Sequence, residues 1–142
     1  MEGIIFIGIP ASGKSTFYQK RFSKTHKIVS LDLVKSRTKE DILLNDLIAA
    51  NEKIVIDNTN LTKAKREKYF ALFKIANYKV IGYYFEPDPE NCIKRNSKRK
   101  DKKRVPDFVI TNMNNELETP RLNEGFHKLY SVKIRSKSYV VK

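Results

Sequence analysis

Residues 3–16 read GIIFIGIPASGKST. The first seven, Gly3 to Ile9, form an unbroken β-branched apolar run, the pattern of a strand buried on both faces. Gly8-Ile9-Pro10-Ala11-Ser12-Gly13-Lys14-Ser15-Thr16 then fits G-x-x-x-x-G-K-[ST], leaving that strand and entering the helical stretch STFYQKRF. Gly8 and Gly13 permit backbone dihedrals and a close approach that a Cβ would block. The amides of Ala11, Ser12 and the residues up to Thr16, with the helix N-terminus behind them, make a concave anion site. Lys14 brings a point charge to β/γ-phosphates, and the Ser15 hydroxyl suits Mg²⁺. The stretch points to ATP with Mg²⁺. A bare glycine turn between a core strand and a helix is the competing reading, and the strand-to-helix context speaks against it.

Outward from this loop, apolar runs alternate with helical periods. KIVSL predicts a short second strand ending at Asp32, and Leu44, Leu47 and Ile48 make an apolar face on a helix over 39–50. KIVID (53–57) reads as a third strand, and Tyr69, Leu72, Phe73 and Ala76 mark the core stripe of a helix over 62–76. KVIGYYF (79–85) is a fourth strand, followed by Asp88-Pro89-Glu90, a cap, a first-position proline and a first-turn acid. Val105-Pro106-Asp107 opens another helix, whose Val109, Ile110, Met113 and Leu117 share a face, and KLYSVKI (128–134) reads as a last strand. Strand–helix alternation predicts an α/β domain with a parallel central sheet flanked by helices, spanning residues 1–142.

Composition narrows the class. Apolar residues make up 40 % of the 142, enough for one packed core. The net charge is +13, which favours polyanionic partners; a merely solubilising lysine surface is the bland alternative. Cys92 is the only cysteine, so neither an internal disulfide nor a Cys/His metal cluster is available. The N-terminal run lacks a basic flank and a cleavage site, and no stretch suits a membrane span; a cytoplasmic protein is expected.

Two further positions fall at predicted strand ends, where open α/β sheets place their ligands. Asp32 suits either a proton acceptor in phosphoryl transfer or a helix cap. Asp57 suits Mg²⁺, directly or through water, and Asn58, Thr59 and Asn60 suit substrate orientation or capping. Residues 94–107, KRNSKRKDKKRVPD, carry eight basic and two acidic side chains. Taken alone, such a run is a solvated face or a polyanion patch.

Together, GIPASGKST, an Asp after the second strand, DNTNL (57–61), KRNSKR…VPDFV and TPRLNEGF (119–126) resemble the 5′-kinase domain of the polynucleotide kinase family, over roughly residues 3–130. The resemblance implies a P-loop kinase fold with a helical lid over about 94–106. It also implies transfer of the ATP γ-phosphate to the 5′-hydroxyl of DNA or RNA. Under it, Lys14 and Ser15 are the P-loop pair, Asp32 is the general base, and Arg95 and Arg99 are lid arginines over the phosphates. Val105, Pro106 and Val109 carry the terminal nucleoside, and Asn58 helps organise the acceptor. Leu31 and Lys35 stand where relatives often have arginines. Lys35 keeps the charge for an acceptor phosphate but lacks the bidentate fork, which Arg37 could restore. No D-x-D-x-T stretch accompanies the kinase pattern, so a kinase alone is expected. The competing functions are a kinase of a nucleoside or other metabolite, and a nucleotide-dependent nucleic-acid-binding module without chemistry.

Overall fold

The apolar run becomes the middle of the sheet. In the computed structural model, which describes all 142 residues, strand β1 spans Glu2–Ile7. Its side chains alternate between two cores. Ile5 and Ile7 join Val29, Leu44, Ile54, Ile56, Tyr69 and Phe73 on one face. Ile4 and Phe6 join Phe17, Tyr18, Val55, Phe85 and Val132 on the other. A strand with no solvent face needs no polar alternation, which is why the sequence shows none.

Around it lie β2 (Lys27–Val29), β3 (Ile54–Ile56), β4 (Lys79–Phe85), β5 (Lys128–Arg135) and β6 (Ser138–Val141), in the order β2-β3-β1-β4-β5-β6. Every pairing is parallel except β5 with β6, an antiparallel hairpin. The helices are α1 (Lys14–Arg21), α2 (Leu31–Val34), α3 (Arg37–Ala49), α4 (Lys63–Ile75), α5 (Pro89–Ser97) and α6 (Asp107–Glu116). The α/β class with a mostly parallel, helix-flanked sheet is as the sequence predicts.

Caps set the helix ends. Ser36 and Thr62 accept from the amides of Lys39 and Lys65, and Asp88 accepts from Asn91 with Pro89 at the first position. Buried Arg66 forks onto Glu124 at 2.9 and 3.1 Å and donates to the carbonyls of Asn60 and Glu118, tying the TPRLNEGF segment to α4.

Three local expectations change. The second strand stops at Val29, and Asp32 lies in the first turn of a four-residue helix. Residues 128–134 are not the last strand, because β6 folds back on them. The lid implied over about 94–106 is helical only at its start: α5 ends at Ser97, leaving Arg99 in the turn beyond it. Two lysines, Lys98 and Lys100, flank Arg99, so continuing the helix would crowd like charge with no apolar face to bury.

Candidate active site

The loop after β1 closes on itself. Ala11 and Gly13 both take left-handed backbone angles, φ 63° and 93°, so successive amides turn toward one concavity. A Cβ on Gly13 would sit 2.8 Å from Ile134 Cδ1, and one on Gly8 would sit 2.8 Å from Ser12 Oγ and 3.0 Å from Phe85 Cβ. Gly8 thus leaves room that the Phe85 Cβ would otherwise contest, and Gly13 is favoured by its left-handed conformation.

Lys14 is buried in the middle of this loop. Its ammonium donates to the carbonyls of Gly8 at 3.0 Å and Ile9 at 2.9 Å, and to Ser12 Oγ at 3.3 Å. Burial pulls its pKa from 10.5 down to about 8, although Asp57 partly offsets this. Asp57, just beyond β3, accepts from Ser15 Oγ at 3.0 Å, and burial holds its carboxyl above the usual range. No group of three or more His, Cys, Asp or Glu side chains is gathered as a metal cage. The Ser15–Asp57 pair nevertheless fits Mg²⁺, which keeps waters and takes few protein ligands besides phosphate oxygens.

A cavity of 360 Å³ opens in front of this pair. On its walls are Ala11 to Thr16, Asp32, Asp57, Asn58, Arg99, Val105 and Val109, residues far apart in the sequence. Arg37, Lys65, Lys102, Lys103 and Met113 line it as well. Six basic side chains thus face two carboxylates. Lys35 is not on this wall: it is exposed at the C-cap of α2, φ 76°, and Arg37 enters instead. Pro106 is exposed and caps α6, while Val105, Val109 and Met113 supply the apolar side.

Arg95 lies on the other flank. It donates from Nε to the Ala11 carbonyl at 2.7 Å and lines a second cavity of 300 Å³ with Ser12, Glu86, Asp88, Asn91 and Arg135. Arg99 donates to the Lys103 carbonyl at 3.2 Å within the basic loop. That loop is fastened at its base by Asn96, which is wholly buried. Its amide donates to the Val105 carbonyl at 2.6 Å and accepts from the Val105 amide at 3.1 Å.

Sequence reasoning missed several of these. Lys65 follows the Thr62 cap by three residues, which places it at the carboxyl end of the sheet; that spacing was a usable signal. Tyr139 had none. It reaches from β6 to donate to the Gly13 carbonyl at 2.9 Å and packs on Phe17 at 5.0 Å. Asn96 and Glu40 were hidden for a related reason: a polar residue inside a charged helix does not announce that it is buried.

A family model described as "AAA domain" matches residues 34–120. The chain is 22 % identical over 135 residues to a bifunctional polynucleotide phosphatase/kinase from Schizosaccharomyces pombe. That match takes in 92 % of this chain but 33 % of the relative, so the chain spans about a third of that protein's length. In fold it is similar to a gluconokinase from Sinorhizobium meliloti 1021, with TM-score 0.60, 16 % identity, and coverage of 93 % of this chain and 82 % of that one. It is also similar to Chaetomium thermophilum Kti12 in complex with ADP-AlF3, with TM-score 0.65, 17 % identity, and coverage of 92 % and 88 %.

Proposed function

The chain belongs to the AAA domain family, and we propose that it is an ATP-dependent polynucleotide 5′-hydroxyl kinase. One observation carries the reading: a single cavity joins the Lys14 cradle to Asp32 beneath a rim of basic side chains and an apolar wall. The 22 % identity to a phosphatase/kinase and the polyanion-suited charge support it.

In this reading the loop amides and Lys14 bind the β/γ-phosphates of ATP. Binding the nucleotide replaces the loop carbonyls that Lys14 now contacts. Mg²⁺, held by Ser15 and Asp57, would neutralise charge on those phosphates. Asp32, exposed on α2, aligns the 5′-hydroxyl and accepts its proton as the oxygen attacks the γ-phosphorus in line. Arg99 balances charge developing on the transferred group, and Arg95 fastens the cradle from outside. Val105, Val109 and Met113 seat the terminal nucleoside, while Arg37 and Lys65 meet its phosphates, with Lys35 further out.

The test is transfer from γ-labelled ATP to a 5′-hydroxyl oligonucleotide, run beside nucleosides and small polyols. Label on the oligonucleotide end, abolished in Asp32→Ala with ATP binding retained, is the expected result. Arg99→Ala should depress turnover more than acceptor affinity. A second reading, a kinase of a small hydroxyl compound, has its own support: 360 Å³ is the size of a small-molecule site, and a gluconokinase shares the fold. Label on a small alcohol and none on the oligonucleotide would establish it instead.

A further inference from the structure

Glu40 is wholly buried on α3, and no step above uses it. Both of its carboxylate oxygens are taken. Oε1 accepts from Tyr69 Oη at 2.9 Å, Lys68 Nζ at 3.0 Å and Arg37 at 3.1 Å. Oε2 accepts from Asn58 Nδ2 at 2.7 Å. That same amide turns its other end, Oδ1, to accept from the backbone N–H of Leu31 at 2.9 Å. Leu31 begins α2, the helix that holds Asp32, and α2 is only four residues long. The Ser30 side chain makes no capping bond there, so the Asn58 carbonyl serves the first turn in its place.

From this geometry we propose that Glu40 is the positioning residue of the acceptor half of the site: through Asn58 it orients the α2 turn bearing Asp32, and directly it holds Arg37 on the cavity wall. Hydrogen-bond direction fixes the order of the relay. Leu31 N–H can only donate, so Asn58 must present oxygen to it and NH₂ to residue 40. Residue 40 must therefore offer an acceptor. Tyr69 and Lys68 keep Glu40 supplied with further donors, Tyr69 Oη itself accepting from Asn58 Nδ2 at 3.2 Å, which makes the buried carboxylate sustainable. These donors also hold its pKa below the ordinary carboxylate value despite burial.

A relay of fixed direction predicts a polarity swap, and the role of Glu40 rests on the kinase reading only for its kinetic arm. In Glu40→Gln the amide oxygen stays with Lys68, Arg37 and Tyr69, since the first two can only donate, and the NH₂ faces the Asn58 NH₂. If Asn58 flips to relieve this, its NH₂ meets Leu31 N–H. In Asn58→Asp two carboxylates face each other. In the double variant, Glu40→Gln with Asn58→Asp, the new amide at position 40 donates to the new carboxylate at position 58. That carboxylate still accepts from Leu31. Each single variant should lose about 100-fold in acceptor kcat/KM with the KM for ATP unchanged, and the double variant should regain most of it. A double variant no better than the worse single one, or a Glu40→Gln enzyme at full turnover, overturns the proposal. The Leu31 amide resonance in ¹⁵N–¹H spectra supplies a readout that needs no acceptor. It should move in both single variants and return in the double one. If the wild-type chain phosphorylates no oligonucleotide, the proposed function falls while this spectrum still decides the role of Glu40.

Discussion

The two halves of the cavity are built differently. On the donor side Ser12, Lys14 and Asp57 are 5, 9 and 6 % exposed, and every fully buried side-chain polar atom among them has a partner within the chain. On the acceptor side Asp32, Arg37 and Lys65 reach solvent, and what is buried stands behind them as the Glu40–Asn58 relay. A compact phosphate group can be met by a dry cradle, where each dipole acts at low dielectric. Under the proposed function a long acceptor would enter and leave, which suits contacts that stay wet and are held from the rear.

Replacing one residue on each side is the strongest test of this contrast. Lys14→Ala and Asp32→Ala should each cost about 10³-fold or more in transfer. Only Lys14→Ala should also weaken binding of a fluorescent ATP analogue; equal binding losses in both would dissolve the distinction between halves.

The loop base should respond in stability. Asn96→Ala strips both partners from the Val105 backbone and should lower unfolding free energy by about 1–3 kcal/mol. Chemical denaturation measures it, and an unchanged midpoint would mean the clamp contributes nothing.

The pH response belongs to the donor side. With a folded pKa of about 8, Lys14 loses its proton across pH 8 in the nucleotide-free protein, whereas the unfolded chain keeps its own up to 10.5. ATP affinity should therefore fall as pH rises above about 8, by as much as tenfold per unit, with proton uptake on binding. The same group's contribution to folding has the opposite sign. Between about 8 and 10.5 the unfolded chain binds more protons, so that contribution rises with pH. Calorimetry of ATP binding in buffers of different ionisation enthalpy would expose a missing proton.

The smallest effect expected is that of Lys65→Ala, which should raise the KM of an oligonucleotide acceptor a few-fold and lower the salt-dependence slope by about 1. An effect on ATP rather than on the acceptor would move Lys65 to the other half.

Much of this was legible in the chain. The phosphate loop is a contiguous motif whose function depends on backbone angles and residues close together in sequence, so it can be read locally. The central strand betrayed itself by having no polar alternation, and several helices by caps that act over a single turn. Asp57 was legible for the same reason, lying one residue past a buried strand. Asp32 stood out as a candidate and lies on the cavity wall, but its setting was not legible, because a four-residue helix has no periodicity to detect.

The amino-acid sequence alone therefore determined the α/β class, the anion cradle and the basic character of the surface. Tertiary structure decided which cations face the cavity, admitting Arg37 and Lys65 and leaving Lys35 outside. It set Arg95 against the back of the loop across 84 residues, and Tyr139 against Gly13 across 126. It also turned Glu40, Tyr69 and Asn58 from ordinary polar residues into one directed relay. Local rules act through the dihedrals and hydrogen bonds of near neighbours, whereas the environment of a charge is made by whatever the fold packs around it.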